Sequence, residues 1–170
     1  MAGLLDLCMG ALIASATLST LGYEVLPWHL ALGAVLAVLP DFDIILPILT
    51  DQKGIENHHT TIMHRPLFLI PLAALVAYAL GGAAWALLAS LCVAWHFVHD
   101  TPPLSPSGIA WVWPLSEKFL SIYGARDPRV GTMLHDEWVQ TYWLRPTVRS
   151  VSEIGAGLVA LVLAVAIAIA

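Results

Sequence analysis

Four stretches of this chain, residues 4–21, 66–80, 83–98 and 152–170, are almost purely apolar over lengths close to the roughly 20 residues that a helix needs to cross a bilayer. A fifth, 26–39, is shorter and runs into Pro40, Asp41, Phe42 and Asp43 before a second apolar run over 44–49, the pattern of a broken or tilted helix. Only 11% of the residues are charged, against about 25% in a soluble domain, so lipid is the expected solvent. The predicted fold class is therefore all-α: a polytopic transmembrane helical bundle of about five spans, forming one domain over residues 1–170. Gly81-Gly82 reads as a tight turn between two antiparallel spans. Pro102, Pro103, Pro106 and Pro114 stop helix and mark an interfacial loop region over 100–150, between the fourth and fifth spans. The N-terminus lacks the positive segment and cleavage pattern of a secretory signal, so the first helix is expected to persist.

Charge excludes some partners and orients the rest. A net charge of −5 with no basic helix or zinc-finger spacing argues against nucleic acid. Cys8 and Cys92 each stand alone in an apolar run, which offers neither a disulfide framework nor a CxxC site. All seven basic residues, Lys53, Arg65, Lys118, Arg126, Arg129, Arg145 and Arg149, fall on one side of a five-span topology. The positive-inside tendency makes that side cytoplasmic, with residues 22–26 and the Gly81-Gly82 turn outside.

The same topology gathers chemistry. Asp41, Asp43, His58, His59, His64, His96, His99, Asp100, His135 and Asp136 all lie on or near the basic side, and among the histidines only His29 lies opposite. Ionisable groups at the ends of spans are costly there and mark functional sites, each with a partner expected nearby. In Trp95-His96-Phe97-Val98-His99-Asp100 the spacing of His96 and Asp100 projects both from one helical face, where they can share an ion. Three histidines, His58, His59 and His64, stand just before the span that opens at Pro66, and Asp41 and Asp43 add hard oxygen ligands. Imidazole beside carboxylate suits zinc, manganese or iron. Taken singly, each group has a structural alternative as a capped helix end or polar loop; their conjunction points to divalent metal. Trp111, Trp113, Trp138, Tyr142 and Trp143 fit an aromatic belt at the headgroup level.

These motifs resemble the YdjM-type family of membrane-bound, metal-dependent hydrolases, also described as LexA-binding, inner-membrane-associated hydrolases. The resemblance covers most of the chain and rests on the Leu-Pro-Asp-x-Asp segment at 39–43, the paired-histidine segment at 59–64, the His-x-x-x-Asp helix end at 96–100, and a Gly-to-Pro loop at 108–114. Two departures stand out. Where the family carries a histidine four residues before a glycine in the first helix, this chain has Asp6 ahead of Gly10, and Thr60-Thr61 replaces an Arg-Gly, with Arg65 following the second histidine. The resemblance implies Asp6 as a further metal ligand and a prokaryotic inner-membrane location. The His-x-x-x-Asp element is also similar to the zinc-binding helix of bacterial phospholipase C and P1-type nucleases.

The expected function is hydrolysis at the membrane surface, of a phosphoester or lipid-like substrate, by zinc or, alternatively, manganese or iron. Asp41, Asp43, His59, His64, His96, Asp100 and Asp6 are the predicted ligands. Arg65 is placed to receive an anionic group, and His99, His135, Asp136 or Glu137 to move protons. Membrane lipid and a regulatory protein are the expected partners besides substrate. The main rival is a non-enzymatic metal-binding protein with a structural, transport or regulatory role. A haem or quinone carrier using transmembrane histidines is disfavoured by the carboxylates around His96. A lipid-phosphatase reading of Ser105 to Gly108 fails because Ile109 stands where that signature needs histidine.

Overall fold

The computed structural model describes residues 2–43, 59, 61–101, 108–120 and 148–170. Among these the chain is all-helical, with five α-helices and no strand: α1 (Ala2–Thr20), α2 (Pro27–Ala37), α3 (Pro66–Gly81), α4 (Ala83–Asp100) and α5 (Val148–Ile169). Three contain segments long and apolar enough to cross a membrane, Gly3–Thr20, Ala83–Asp100 and Ser150–Ile169. The expectation of about five full spans is therefore slightly high. At about 1.5 Å per residue, the 11 residues of α2 reach only about half of a hydrocarbon core roughly 30 Å thick. The reason is local: past Ala37 the chain tightens into a short 3-10 turn, Leu39–Asp41, whose proline cannot donate a helical hydrogen bond. α3 is likewise bounded, by Pro66 at its start and Gly82 at its end.

α1 is the central element. α2 folds back along it, and the two backbones touch where Gly10 meets Gly33; a Cβ built on Gly10 would lie 2.2 Å from the Gly33 carbonyl oxygen. Only a residue without a side chain allows that approach. α5 lies along another side of α1, with Ser15 Oγ donating to the Ala164 carbonyl at 2.7 Å. α3 and α4 form a hairpin turned at Gly82, whose φ of 83° is left-handed and favours glycine.

Two apolar clusters fill the interior. Ala14, Leu18, Ala37, Leu88 and Cys92 join α1, α2 and α4, while Leu69, Val93, Phe97 and Ile109 join α3, α4 and the loop after α4. The second cluster is continued by Trp111, whose indole N–H donates to Thr101 Oγ1 at 2.8 Å, and by paired backbone bonds between Ile109 and Leu120 at 3.0 and 2.9 Å. The loop over 108–120 is thereby pinned onto the end of α4. This arrangement collects the start of α1, the end of α2, the approach to α3, the end of α4 and the start of α5 at one end of the bundle.

Candidate metal centre

The Leu39–Asp41 turn exists because α2 stops at Ala37, and it delivers Asp41 beside the last turn of α4. A second 3-10 turn, Ile62–His64, precedes α3 and inserts His64 from the other side. α4 contributes His96 and Asp100, one helical turn apart. One ligand atom from each of Asp41, His64, His96 and Asp100 lies within 4.8 Å of all the others, and this group can hold a divalent ion. Side-chain exposure is 0% for His64 and 1% for His96, against 19% for Asp41 and 17% for Asp100, so the imidazoles form the floor and the carboxylates the accessible edge.

The histidines are oriented by what holds their other ring nitrogen. His96 Nδ1 donates to the Ala37 carbonyl at 2.9 Å, His64 Nδ1 to Asp43 Oδ2 at 3.1 Å, and His59 Nδ1 to the Gly108 carbonyl at 3.1 Å. A carbonyl or an ionised carboxylate only accepts, so each Nδ1 carries the hydrogen and each neutral ring presents a bare Nε2. The three Nε2 atoms converge on a single oxygen, Asp100 Oδ2, at 3.6 Å for His59, 3.8 Å for His64 and 3.0 Å for His96. Asp41 Oδ1 lies 3.6 Å from His64 Nε2 and 3.5 Å from His96 Nε2. Buried His96 Nε2 has Asp100 Oδ2 3.0 Å away, without an aligned hydrogen bond between them. These nitrogen and oxygen donors are of the kind that hold a divalent cation.

Electrostatics separate His59 and His64, which both precede α3. Burial pulls the His64 pKa down, but hydrogen bonding to Asp41 and Asp43 outweighs it, and the net shift is upward. For His59 burial wins over the attraction of Asp100 and the pKa falls. His59 and His64 stack nearly parallel with ring centroids 4.9 Å apart, a face-to-face pairing that disfavours both being charged.

The other predicted residues take distinct places. Asp43 supports His64 from behind, accepting also from Thr61 Oγ1, and is not one of the four grouped residues. Asp6 and His99 also lie outside that group: His99 Nδ1 sits 2.8 and 3.0 Å from the two Asp6 carboxylate oxygens. Arg65 lies against two rings of the 108–120 loop, with its guanidinium carbon 5.6 Å from the centroid of Trp113 and 5.3 Å from that of Phe119. Trp111 and Trp113 thus pack the site, while Trp138, Tyr142 and Trp143 lie outside the described residues, as do His58, His135, Asp136 and Glu137. His29 caps α2, its Nδ1 accepting from the Leu26 N–H at 2.9 Å.

Sequence reading missed Trp95, Glu153 and the carbonyls of Ala37 and Gly108. A carboxylate in the first turns of an otherwise apolar terminal helix was the available signal for Glu153; no residue type announces a carbonyl.

A family model described as YdjM inner membrane protein matches residues 1–170, the whole chain. No curated protein and no solved structure matches it. With apolar helices of spanning length and a match from end to end, the chain belongs to the YdjM inner membrane protein family.

Proposed function

We propose that this protein is a membrane-bound, metal-dependent hydrolase acting on a phosphoester or lipid-like substrate at the cytoplasmic face, with zinc as the first candidate ion and manganese or iron next. The observation that carries the reading is the convergence of three Nδ1-tethered imidazoles on Asp100 Oδ2.

His59, His64, His96, Asp41 and Asp100 are the residues that would hold the ion. When bound, it supplies Lewis acidity and brings the pKa of a water toward about 7. The chain's own residues do the rest. The carbonyls of Ala37 and Gly108 and the Asp43 carboxylate keep the rings turned inward, the kind of outer support that sets ligand basicity and geometry. Asp41 and Asp100, as the exposed edge, face the side from which substrate enters. Arg65, adjacent in sequence to the ligand His64, receives an anionic substrate group, and the aromatic rings beside it limit its rotamers. His135 and Asp136 remain the proposed proton-transfer groups, while the His99 ring, held between Asp6 and Glu153, faces away from the four-residue group.

The test is a phosphoester and lipid substrate screen on purified protein, with chelation and metal add-back. Activity lost on chelation, restored by metal and abolished by His96→Ala or Asp100→Asn supports the reading; Arg65→Ala should mainly raise KM for anionic substrates. A protein that binds metal stoichiometrically yet hydrolyses nothing, with every ligand position filled by protein, would instead be a structural or regulatory metal protein.

A further inference from the structure

Beside the candidate centre lies a second buried polar group. Asp6, on the first turns of α1, is 1% exposed. Its Oδ1 accepts from the Trp95 indole N–H at 3.0 Å and lies 2.8 Å from His99 Nδ1, while Oδ2 lies 3.0 Å from the same nitrogen. The far side of the His99 ring faces α5, with Nε2 3.6 Å from Glu153 Oε1. One carboxylate on α1 therefore holds two side chains of α4, and one of these reaches toward a carboxylate on α5.

The placement on α4 matters. Trp95 and His99 flank His96 and precede Asp100, so the residues held by Asp6 alternate along the same helical turn with the two ligands that α4 contributes. Asp6 itself approaches His96 only from behind, with Oδ2 3.9 Å from Nδ1, the nitrogen already donating to Ala37. It stands on the opposite side of that ring from the four-residue group. An ion at the centre would therefore be held by residues that Asp6 positions, and not by Asp6.

We propose that Asp6 is a positioning residue that locks the ligand-bearing last turn of α4 to α1 and, through His99, to Glu153 of α5, so that three helices jointly set the geometry of the metal centre. This rests on the metal-binding part of the reading above and not on its hydrolytic part. A carboxylate buried in a bundle demands partners. Here those partners are committed to orienting one helical turn, and outer groups of this kind influence metal affinity about 10–100-fold.

The experiment uses the full chain in detergent, loaded with cobalt(II), whose visible absorption reports ligand geometry. Asp6→Leu removes both acceptor oxygens; Asp6→Asn keeps one; Trp95→Phe removes a single arm; Ser15→Ala removes a different α1–α5 contact, remote from the site. The expected result is a 10–100-fold loss of cobalt affinity with an altered visible spectrum in Asp6→Leu. Smaller losses are expected in Asp6→Asn, Trp95→Phe and Glu153→Gln, and affinity within about twofold of the unmodified protein in Ser15→Ala. In metal-free protein the Trp95 indole N–H resonance should move in Asp6→Leu and stay in Ser15→Ala. If Asp6→Leu does not fold, Asp6→Asn and Trp95→Phe carry the same comparison.

Equal effects of the Asp6 variants and Ser15→Ala would reduce Asp6 to general helix packing and overturn the proposal. So would loss of one whole equivalent of cobalt with the spectrum of the remainder unchanged, which would make Asp6 a direct ligand of a second ion. No cobalt binding by the unmodified protein overturns both this proposal and the metal-centre reading. Cobalt binding without any hydrolysis removes only the enzymatic reading.

Discussion

Nε2 of His96 and Oδ2 of Asp100 lie 3.0 Å apart across one turn of α4, both directed into the same small volume as His64 and Asp41. A helix can present two ligands in this way because residues four apart are stacked on one face. Purified protein is therefore expected to retain about one or two divalent ions, the number usual for hydrolytic centres. His96→Ala or Asp100→Asn should each remove at least one without preventing membrane insertion. His29→Ala is the comparison: loss of its capping contact with Leu26 should cost on the order of 1 kcal/mol of stability and leave metal content unchanged. Elemental analysis of the three variants decides, and equal loss in His29→Ala would refute the ligand assignment.

Metal uptake should release protons, and His64 is one source. Asp41 and Asp43 hold the His64 pKa above its ordinary value of about 6.5, so near neutral pH its proton competes with the ion. His59, shifted downward, is already neutral and contributes little. Affinity should therefore rise with pH through the range just above the ordinary imidazole value. The metal-free fold responds oppositely: His64 protonation stabilises it fully below the unfolded-state pKa, and that contribution disappears as pH rises through the elevated folded value. Calorimetric titration in buffers of different protonation enthalpy measures the release; proton release unaltered by His64→Gln would show another group to be responsible.

The contact of Gly10 with Gly33 predicts an intolerant helix crossing. A side chain at either position meets backbone, with the Gly33 Cβ position 2.3 Å from the Gly10 carbonyl oxygen. Gly33→Val should destabilise by more than the roughly 1–3 kcal/mol usual for overpacking. Because Ala37 on the same helix supplies the carbonyl that holds His96, metal affinity should fall with it. Thermal midpoints in detergent and metal retention check the pair; a Gly33→Val protein with both unchanged would show that the helices separate at no cost.

Orientation is testable at exposed positions. Tyr23→Cys and Ala83→Cys, at the end away from the metal centre, should react with an impermeant thiol reagent applied outside the cell. Leu115→Cys, 85% exposed on the loop over 108–120, should not. Cys8 and Cys92 are buried and give a low background. The reverse pattern would place the centre on the outer face.

How much of this was legible beforehand differs by kind of information. Apolar run length exposed all five helices, because the cost of backbone in lipid leaves little else for such runs to do. It overcounted the full spans because α2 and α3 are as apolar as the others and differ only in where prolines and glycines end them. Residue type brought out Asp41, His64, His96 and Asp100, since imidazoles and carboxylates at span ends are rare enough to be informative. Type alone did not separate Asp41 from Asp43, two residues apart in one turn, one facing the centre and the other the rear of His64. Nor did it reveal what Asp6 touches, because its partners Trp95 and His99 come from a helix about 90 residues further along, and contacts at that separation leave no local periodicity to read.

The carboxylates of the first helical pair and the imidazoles that face them are far apart in the order of synthesis. Asp6 and Asp41 belong to the first 43 residues, whereas His64, His96 and His99 follow later, and Glu153 comes last. These groups meet at one end of the bundle, so the early helices carry their carboxylates to a site whose imidazoles come from residues much further along. The polar centre is thus complete only once α4 has packed against α1 and the turn after α2, and local folding of the first helical pair cannot form it.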